Sequence, residues 1–226
     1  EWVQVTSPNI PSPFVNGVYR CELSADLIEE RVINVINHYK KLNIPFRWKV
    51  SPSTKPLGIA ALLTKHGLGL KDELFGLIAI KGQVAVSTNP EVRISTLSQK
   101  NLEDWLIIQA KAWHVPAPGI THLRKDMSEK LLKVNEHKRD YIAYIGQIPV
   151  ASAGLQFHDG YAFLVGAAVR PEFRKKGVYQ TILKHRLDLI FEKNLPAVIH
   201  CLKNTSAPIC LKLGFEKVCD IFSYEP

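Results

Sequence analysis

The stretch that most constrains this chain is Val165–Gln180, which reads Val-Gly-Ala-Ala-Val-Arg-Pro-Glu-Phe-Arg-Lys-Lys-Gly-Val-Tyr-Gln. Small apolar residues from Val165 to Val169 predict a strand, Pro171 turns the chain, and a helix is expected to begin near Val178. Between them, Arg174, Lys175, Lys176 and Gly177 make a basic turn. Gly177 reaches backbone angles closed to other residues and adds no side chain where the main chain must approach a ligand. A helix start presents unpaired N–H groups and the positive end of the helix dipole. Together these features make an anion site, and the anion they suit is a pyrophosphate. A basic glycine turn alone is also an ordinary solvated surface feature, so the flanking sequence has to decide.

The flanks carry a resemblance. The turn resembles the acyl-CoA-binding motif of the GNAT family of N-acetyltransferases, Gln/Arg-x-x-Gly-x-Gly/Ala between a strand and a helix. Here the match is Arg174-x-x-Gly177-x-Tyr179, with Tyr179 departing at the last position. A second stretch, Asn204-x-x-Ala207 followed by Lys212-x-Gly214-Phe215, looks like the family's Asn-x-x-Ala-x-x-x-Tyr-x-x-x-Gly-Phe ending, with Gly214 one residue early. The resemblance covers residues 91–226 and implies the GNAT α/β fold: a mixed, mostly antiparallel sheet with splayed central strands, flanked by helices. The splayed strands would be 161–169 and 196–202. It implies acetyl-CoA as co-substrate. The pantetheine arm would lie on Ala167, Ala168 and Val169, and the pyrophosphate on Arg174, Lys175, Lys176, Gly177, Val178, Tyr179 and Gln180. Asn204 would meet the pantetheine amides, although a plain helix cap is an equal reading of that residue.

Hydrophobic periodicity orders the rest of the chain. Residues 1–15, rich in proline, serine and asparagine, read as irregular. Strand Gly17–Leu23 leads to a helix capped by Ser24, whose buried face carries Ile28, Val32, Val35, Ile36 and Tyr39. Strand Pro45–Val50, helix Leu57–Lys65 and strand Leu74–Ile80 follow. This half has no phosphate turn, yet it echoes the second half. Leu57-x-x-Ala60 with Lys65-x-Gly67-Leu68 parallels Asn204-x-x-Ala207 with Lys212-x-Gly214-Phe215, and Lys41-x-Asn43-Ile44-Pro45 parallels Lys193-Asn194-Leu195-Pro196 with the spacing shifted. The expectation is a degenerate, partial GNAT-like domain over 1–90 and an acyl-CoA-binding domain over 91–226, divided at the polar turns around 81–90. In the second domain, Asn101 is expected to cap a helix that Val115-Pro-Ala-Pro-Gly119 stops, with a short helix over Ser128–Val134. Strands 141–145, 149–157 and 161–169 then form a meander before the central helix, whose Arg186 reads as solvated or ion-paired.

A chain of 226 residues has ample length for a core, and its net charge of +8 permits a nucleic-acid reading. No long basic run or aromatic-basic interleaving accompanies that charge, so no nucleic-acid partner is expected. No segment approaches the roughly 20 apolar residues that span a bilayer, so no membrane partner is expected either. Cys21, Cys201, Cys210 and Cys219 lack metal-ligand spacing and read as free thiols of a cytoplasmic protein, with no metal. A homodimer is left open.

Acetyl transfer to an amine needs a proton acceptor, an oxyanion partner and sometimes an acid for the departing thiolate. In the family a backbone N–H of the 161–169 strand polarises the thioester carbonyl, here near Val169, and a tyrosine protonates the sulfur. The place of that tyrosine falls on Leu211 counted from Asn204, or on Cys210 counted back from Gly214. Ser206 and Tyr179 are the replacement hydroxyls. Phe163 stands where many relatives place a glutamate base, which leaves His158, Asp159, His200, His114 and His122 as candidates. The reading is an N-acetyltransferase acting on a primary amine, that of a small molecule, by direct attack. Its competitor is a fold that still holds acyl-CoA but no longer reacts.

Overall fold

The opening of the chain is more ordered than its composition suggests. Trp2 and Gln4 alternate with exposed Val3 and Val5 in β1 (Trp2–Val5), which pairs antiparallel with β2 (Gly17–Cys21). Trp2 is held edge-on against Trp48 with ring centroids 5.5 Å apart. The segment expected to be irregular therefore begins with a strand. The computed structural model describes residues 1–133 and 135–226. They divide into a first unit, Glu1–Gly76 with Cys201–Pro208 and Val218–Pro226, and a second, Leu77–His200 with Ile209–Lys217.

In the first unit, α1 (Ala25–Leu42) buries Ile28, Val32, Val35 and Tyr39, the stripe read from the sequence. Ser24 holds the N-cap position without a capping bond from its hydroxyl. After α1, β3 (Arg47–Val50) runs parallel to β2, with Gly17 opposite Arg47 and Val18 opposite Trp48. Then come α2 (Ile59–Lys65) and β4 (Gly69–Ala79). Trp48, Tyr39, Phe46, Leu63 and Leu68 lie in one buried cluster, in which Tyr39 and Phe46 stack at 4.5 Å.

In the second unit, β5 (Val92–Thr96) is followed by α3 (Leu102–Ala112) and α4 (Ala117–Leu131). The cap expected of Asn101 acts one turn early. Its Oδ1 accepts from the Ser98 N–H at 2.7 Å in a capping box ahead of α3. The expected short helix over Ser128–Val134 is corrected: α4 starts at Ala117, and Val134 lies outside the described residues. The prolines that read as a stop sit at the N-cap and first turn of α4, where a missing N–H costs no helical bond. A meander follows, β6 (Lys138–Ile145), β7 (Ile148–His158) and β8 (Tyr161–Val169). Next are α5 (Val178–Glu192), β9 (Ala197–Leu202), α6 (Ser206–Lys212) and β10 (Glu216–Glu225).

Strand order in the second unit is β9-β8-β7-β6-β5, antiparallel except for the parallel β8–β9 pair. In the first unit the order is β1-β2-β3-β10-β4, with the end of the chain supplying β10 antiparallel to β3. Arg186, read as solvated or ion-paired, is fully buried on α5. Its Nη1 donates to the Gly154 carbonyl at 3.0 Å and its Nε to the Ile182 carbonyl at 3.1 Å. Two of its N–H groups thus meet backbone carbonyls, which offsets part of the cost of burying the charge.

Candidate active site

The turn between β8 and α5 is built as an anion cradle. Gly177 is the N-cap of α5 at φ 72° with no side-chain capping bond, and Lys175 is also left-handed at φ 63°. Left-handed residues at alternate positions form concave nests of N–H groups, and the first N–H groups of α5 add to them. The three cations of the turn are disposed differently. Arg174 Nε donates back to the Val169 carbonyl at 3.3 Å, and Lys176 Nζ stands 5.3 Å from the Phe173 ring centre. Lys175 is exposed and left-handed at the crown of the turn. Arg170 braces the base, with Nη1 on the Pro149 carbonyl at 2.8 Å and Nη2 on Glu172 at 2.6 Å. That guanidinium, with a backbone hydrogen bond as the larger cause, holds the Glu172 carboxyl below the usual range.

Two irregularities in β8 open its end. The register with β7 shifts between the Ser152–Ala168 and Gly154–Val165 pairs, and Gly166 within the shift has φ 62°. An extra residue of this kind leaves backbone groups unpaired and re-aims the strand. On its other side, β8 pairs with β9 only through Ala162–Leu164 and Ala197–Ile199 among the described residues. Beyond Leu164 the two strands splay. The segment with Ala167, Ala168 and Val169 thus has one paired edge and one open edge.

Tyr179, where the family motif has a small residue, is directed toward α6, its hydroxyl 3.4 Å from Cys210 Sγ. The bulky side chain therefore leaves the mouth of the turn. Val178 is buried beneath the helix start and Gln180 is half-buried.

The other candidates are scattered. His158 and Asp159 sit at the β7–β8 hairpin, where His158 pairs with Tyr161 and stacks on its ring at 4.7 Å. That end of β8 is roughly 25 Å from Val169 at about 3.3 Å per residue, so His158 is not brought to the turn. His114 is exposed after α3, and His122 lies on α4. Asn204 and Ser206 belong to the first unit, in the turn after β9 and at the start of α6. His200 is different. It follows the last paired residue of β9, and its ring meets Phe163 at 5.0 Å. Phe163 and His200 therefore share one face of the sheet where the strands part.

Sequence reasoning missed two residues behind the turn. Asn89 Nδ2 donates to the Lys176 carbonyl at 2.9 Å, and the Asn89 N–H donates to Thr181 Oγ1 at 2.9 Å. Thr181 Oγ1 in turn donates to the Gly177 carbonyl at 3.0 Å. The Asn-Pro pair at 89–90 read only as a boundary signal, and no local pattern ties it to a turn so far along the chain.

Splayed strands, a bulged β8 and an anion turn capping the next helix define an N-acetyltransferase fold. Residues 102–215 match the model of the Acetyltransferase (GNAT) family, and the chain belongs to that family. No curated protein matches the chain. Among solved structures, it is similar to a conserved protein of unknown function from Staphylococcus epidermidis. That match has 13% identity and a TM-score of 0.74 over 100% of this chain and 94% of the other. It is also similar to a GCN5-related N-acetyltransferase from Kribbella flavida, with 14% identity and a TM-score of 0.65 over 92% of this chain and 79% of the other. A tandem GNAT protein from the clavulanic acid biosynthesis pathway matches at 12% identity and a TM-score of 0.59, over 89% of this chain and 68% of the other.

Proposed function

We propose that the protein transfers an acetyl group from acetyl-CoA to a primary amine of a small molecule. The observation that carries this reading is the cradle at Lys175 and Gly177, set at the end of a strand with one open edge. The pyrophosphate rests on the N–H groups of the turn and of Val178, Tyr179 and Gln180, with Arg174, Lys175 and Lys176 around it. The pantetheine arm pairs along Ala167–Val169. The amine nitrogen attacks the thioester carbon, a backbone N–H of the bulged strand steadies the oxyanion, and the carbon–sulfur bond breaks. His200, on the parted face of the sheet, takes the amine proton, and the Tyr179 hydroxyl gives a proton to the leaving thiolate. Free cysteines at 21, 201, 210 and 219 fit a reducing compartment such as the cytoplasm. Among the described residues, no helix is long and apolar enough to cross a membrane.

The first unit is read as a degenerate copy of the same fold. The stretches β2–β4 and β8–β10 each run strand, helix, parallel strand, helix, strand, and the joints match in detail. Asn43 and Asn194 end their helices at φ 50° and 53°. The next N–H groups bond back alike, Ile44 to Tyr39 at 3.2 Å and Leu195 to Ile190 at 3.3 Å. Gly67 and Gly214 follow the second helices at φ 88° and 105°, and then Leu68 bonds to Leu63 at 2.9 Å and Phe215 to Cys210 at 3.0 Å. A solved structure of similar fold is itself described as tandem. Between β2 and α1, however, only Glu22–Ser24 stand where the second unit has Arg170–Gly177.

Calorimetric titration with acetyl-CoA, followed by thiol release across a panel of primary amines, tests the function. Binding with amine-dependent release supports it. Binding without release from any amine would leave an acyl-CoA-holding protein, and no binding would remove the reading.

A further inference from the structure

We propose that Asn89 is a positioning residue that fixes the direction of the Lys176–Gly177 peptide and so makes the turn an anion receptor. The inference rests on the proposed function but adds a residue that none of the family's motif positions includes. In a trans peptide the C=O and the following N–H point in opposite directions. The Lys176 carbonyl is held at 2.9 Å by Asn89 Nδ2, so the Gly177 N–H points away from Asn89. With that bond gone the peptide is free to rotate, and a carbonyl would then face the anion in place of a donor.

Each polar group of Asn89 is engaged in holding this arrangement. Its Oδ1 accepts from the Glu91 N–H at 2.9 Å, and its carbonyl accepts from the Val92 N–H at 3.1 Å, which ties the residue to the start of β5. Its own N–H donates to Thr181, which is buried in the first turn of α5 and donates to the Gly177 carbonyl. The peptides on both sides of Gly177 are thereby anchored through their carbonyls. Packing repeats the point. A methyl group built on Gly177 would lie 3.2 Å from the Asn89 Cβ, so Asn89 forms the back wall of the turn. The face opposite Asn89 is left for the ligand.

The test is Asn89→Ala against the wild type, with calorimetric titration of coenzyme A, inorganic pyrophosphate and pantetheine. Hydrogen exchange over residues 174–180 is read in the free proteins. The variant is expected to bind coenzyme A and pyrophosphate about tenfold more weakly, a change of about 1.4 kcal/mol. Pantetheine, which carries no pyrophosphate, should bind as before, and exchange at 174–180 should quicken. A folded variant with unchanged affinities and exchange would overturn the inference, as would an equal loss for all three ligands. If Asn89→Ala does not fold, Thr181→Val removes the other half of the clamp and should shift the same readouts in the same direction. Its identity with the wild type would equally count against the clamp. A wild type that binds no coenzyme A removes the proposed function, whereas the exchange measurement still reports on the clamp.

Discussion

The Tyr179 hydroxyl lies 3.4 Å from Cys210 Sγ, which joins the first turn of α5 to one of the two α6 positions, Cys210 and Leu211, on which the place of the family tyrosine falls. The acid proposed for the leaving thiolate is this hydroxyl. Tyr179→Phe keeps the ring and its packing and removes only the proton. The expected result is kcat lowered about tenfold to a hundredfold, at the low end of acid–base contributions because a CoA thiolate leaves readily. The acetyl-CoA dissociation constant should stay the same. An unchanged kcat would place Tyr179 outside the chemistry.

His200 is proposed as the base for its position beside Phe163, where β8 and β9 part. His200→Gln should cut kcat by about a hundredfold while leaving acetyl-CoA affinity unchanged. A variant with wild-type turnover at every pH would transfer the role elsewhere.

Gly177 has two separate reasons to be glycine, and substitution can part them. Its φ of 72° strains any other residue, and a Cβ would press on Asn89 at 3.2 Å. Gly82, with φ 87° and nothing within 4 Å of a built Cβ, carries the first reason alone. Alanine at either position should cost about 1–2 kcal/mol from left-handed strain. Denaturant midpoints should show Gly177→Ala as the worse of the two, and only that variant should weaken acetyl-CoA binding.

The contrast between Gly177 and Asn89 shows what was legible in the sequence. A strand, a basic glycine turn and a helix start lie within one short stretch, so local rules read them and place the turn between β8 and α5. Asn89 contributes through the third dimension, far from the turn in sequence, and its Asn-Pro pair has the appearance of any loop. Arg186 failed for a related reason. Its charge suggests solvent, but only the folded sheet shows the Gly154 carbonyl that receives it. α4 was misread because two prolines in a row of small residues resemble a stop, whereas at a helix start they are harmless. The bulge at Gly166 left no mark beyond a glycine among small residues, since register depends on the partner strand.

The proposed duplication predicts a stoichiometry. The first unit keeps the helix joints of the second but has only Glu22, Leu23 and Ser24 between β2 and α1, and that joint is acidic where the second unit's is basic. No residue of that joint has a positive φ, so it forms no nest of the kind made at Lys175 and Gly177. Acetyl-CoA should therefore bind with one site per chain in calorimetry. Two equivalent sites would show that the first unit holds a cofactor through groups other than a turn of this kind.

Burial of His185 on α5 gives a stability profile whose sign can be worked out. Desolvation is the largest influence on its imidazole, and the neighbouring Arg186 acts in the same direction, while Asp188 and Glu192 oppose them. The net effect lowers its pKa from the ordinary 6.5. The edge of the Tyr141 ring, 4.8 Å away between centres, completes its surroundings. Well above pH 6.5 the imidazole is neutral in both the folded and unfolded chains and contributes no pH dependence. Below it, the unfolded chain binds a proton that the folded chain resists, so stability falls as the pH drops toward the lowered folded value. His185→Gln removes this one titration. Urea midpoints measured at pH 7.5 and 5.5 should therefore fall less in the variant than in the wild type. Parallel losses in the two proteins would mean that His185 takes its proton as easily in the fold as outside it.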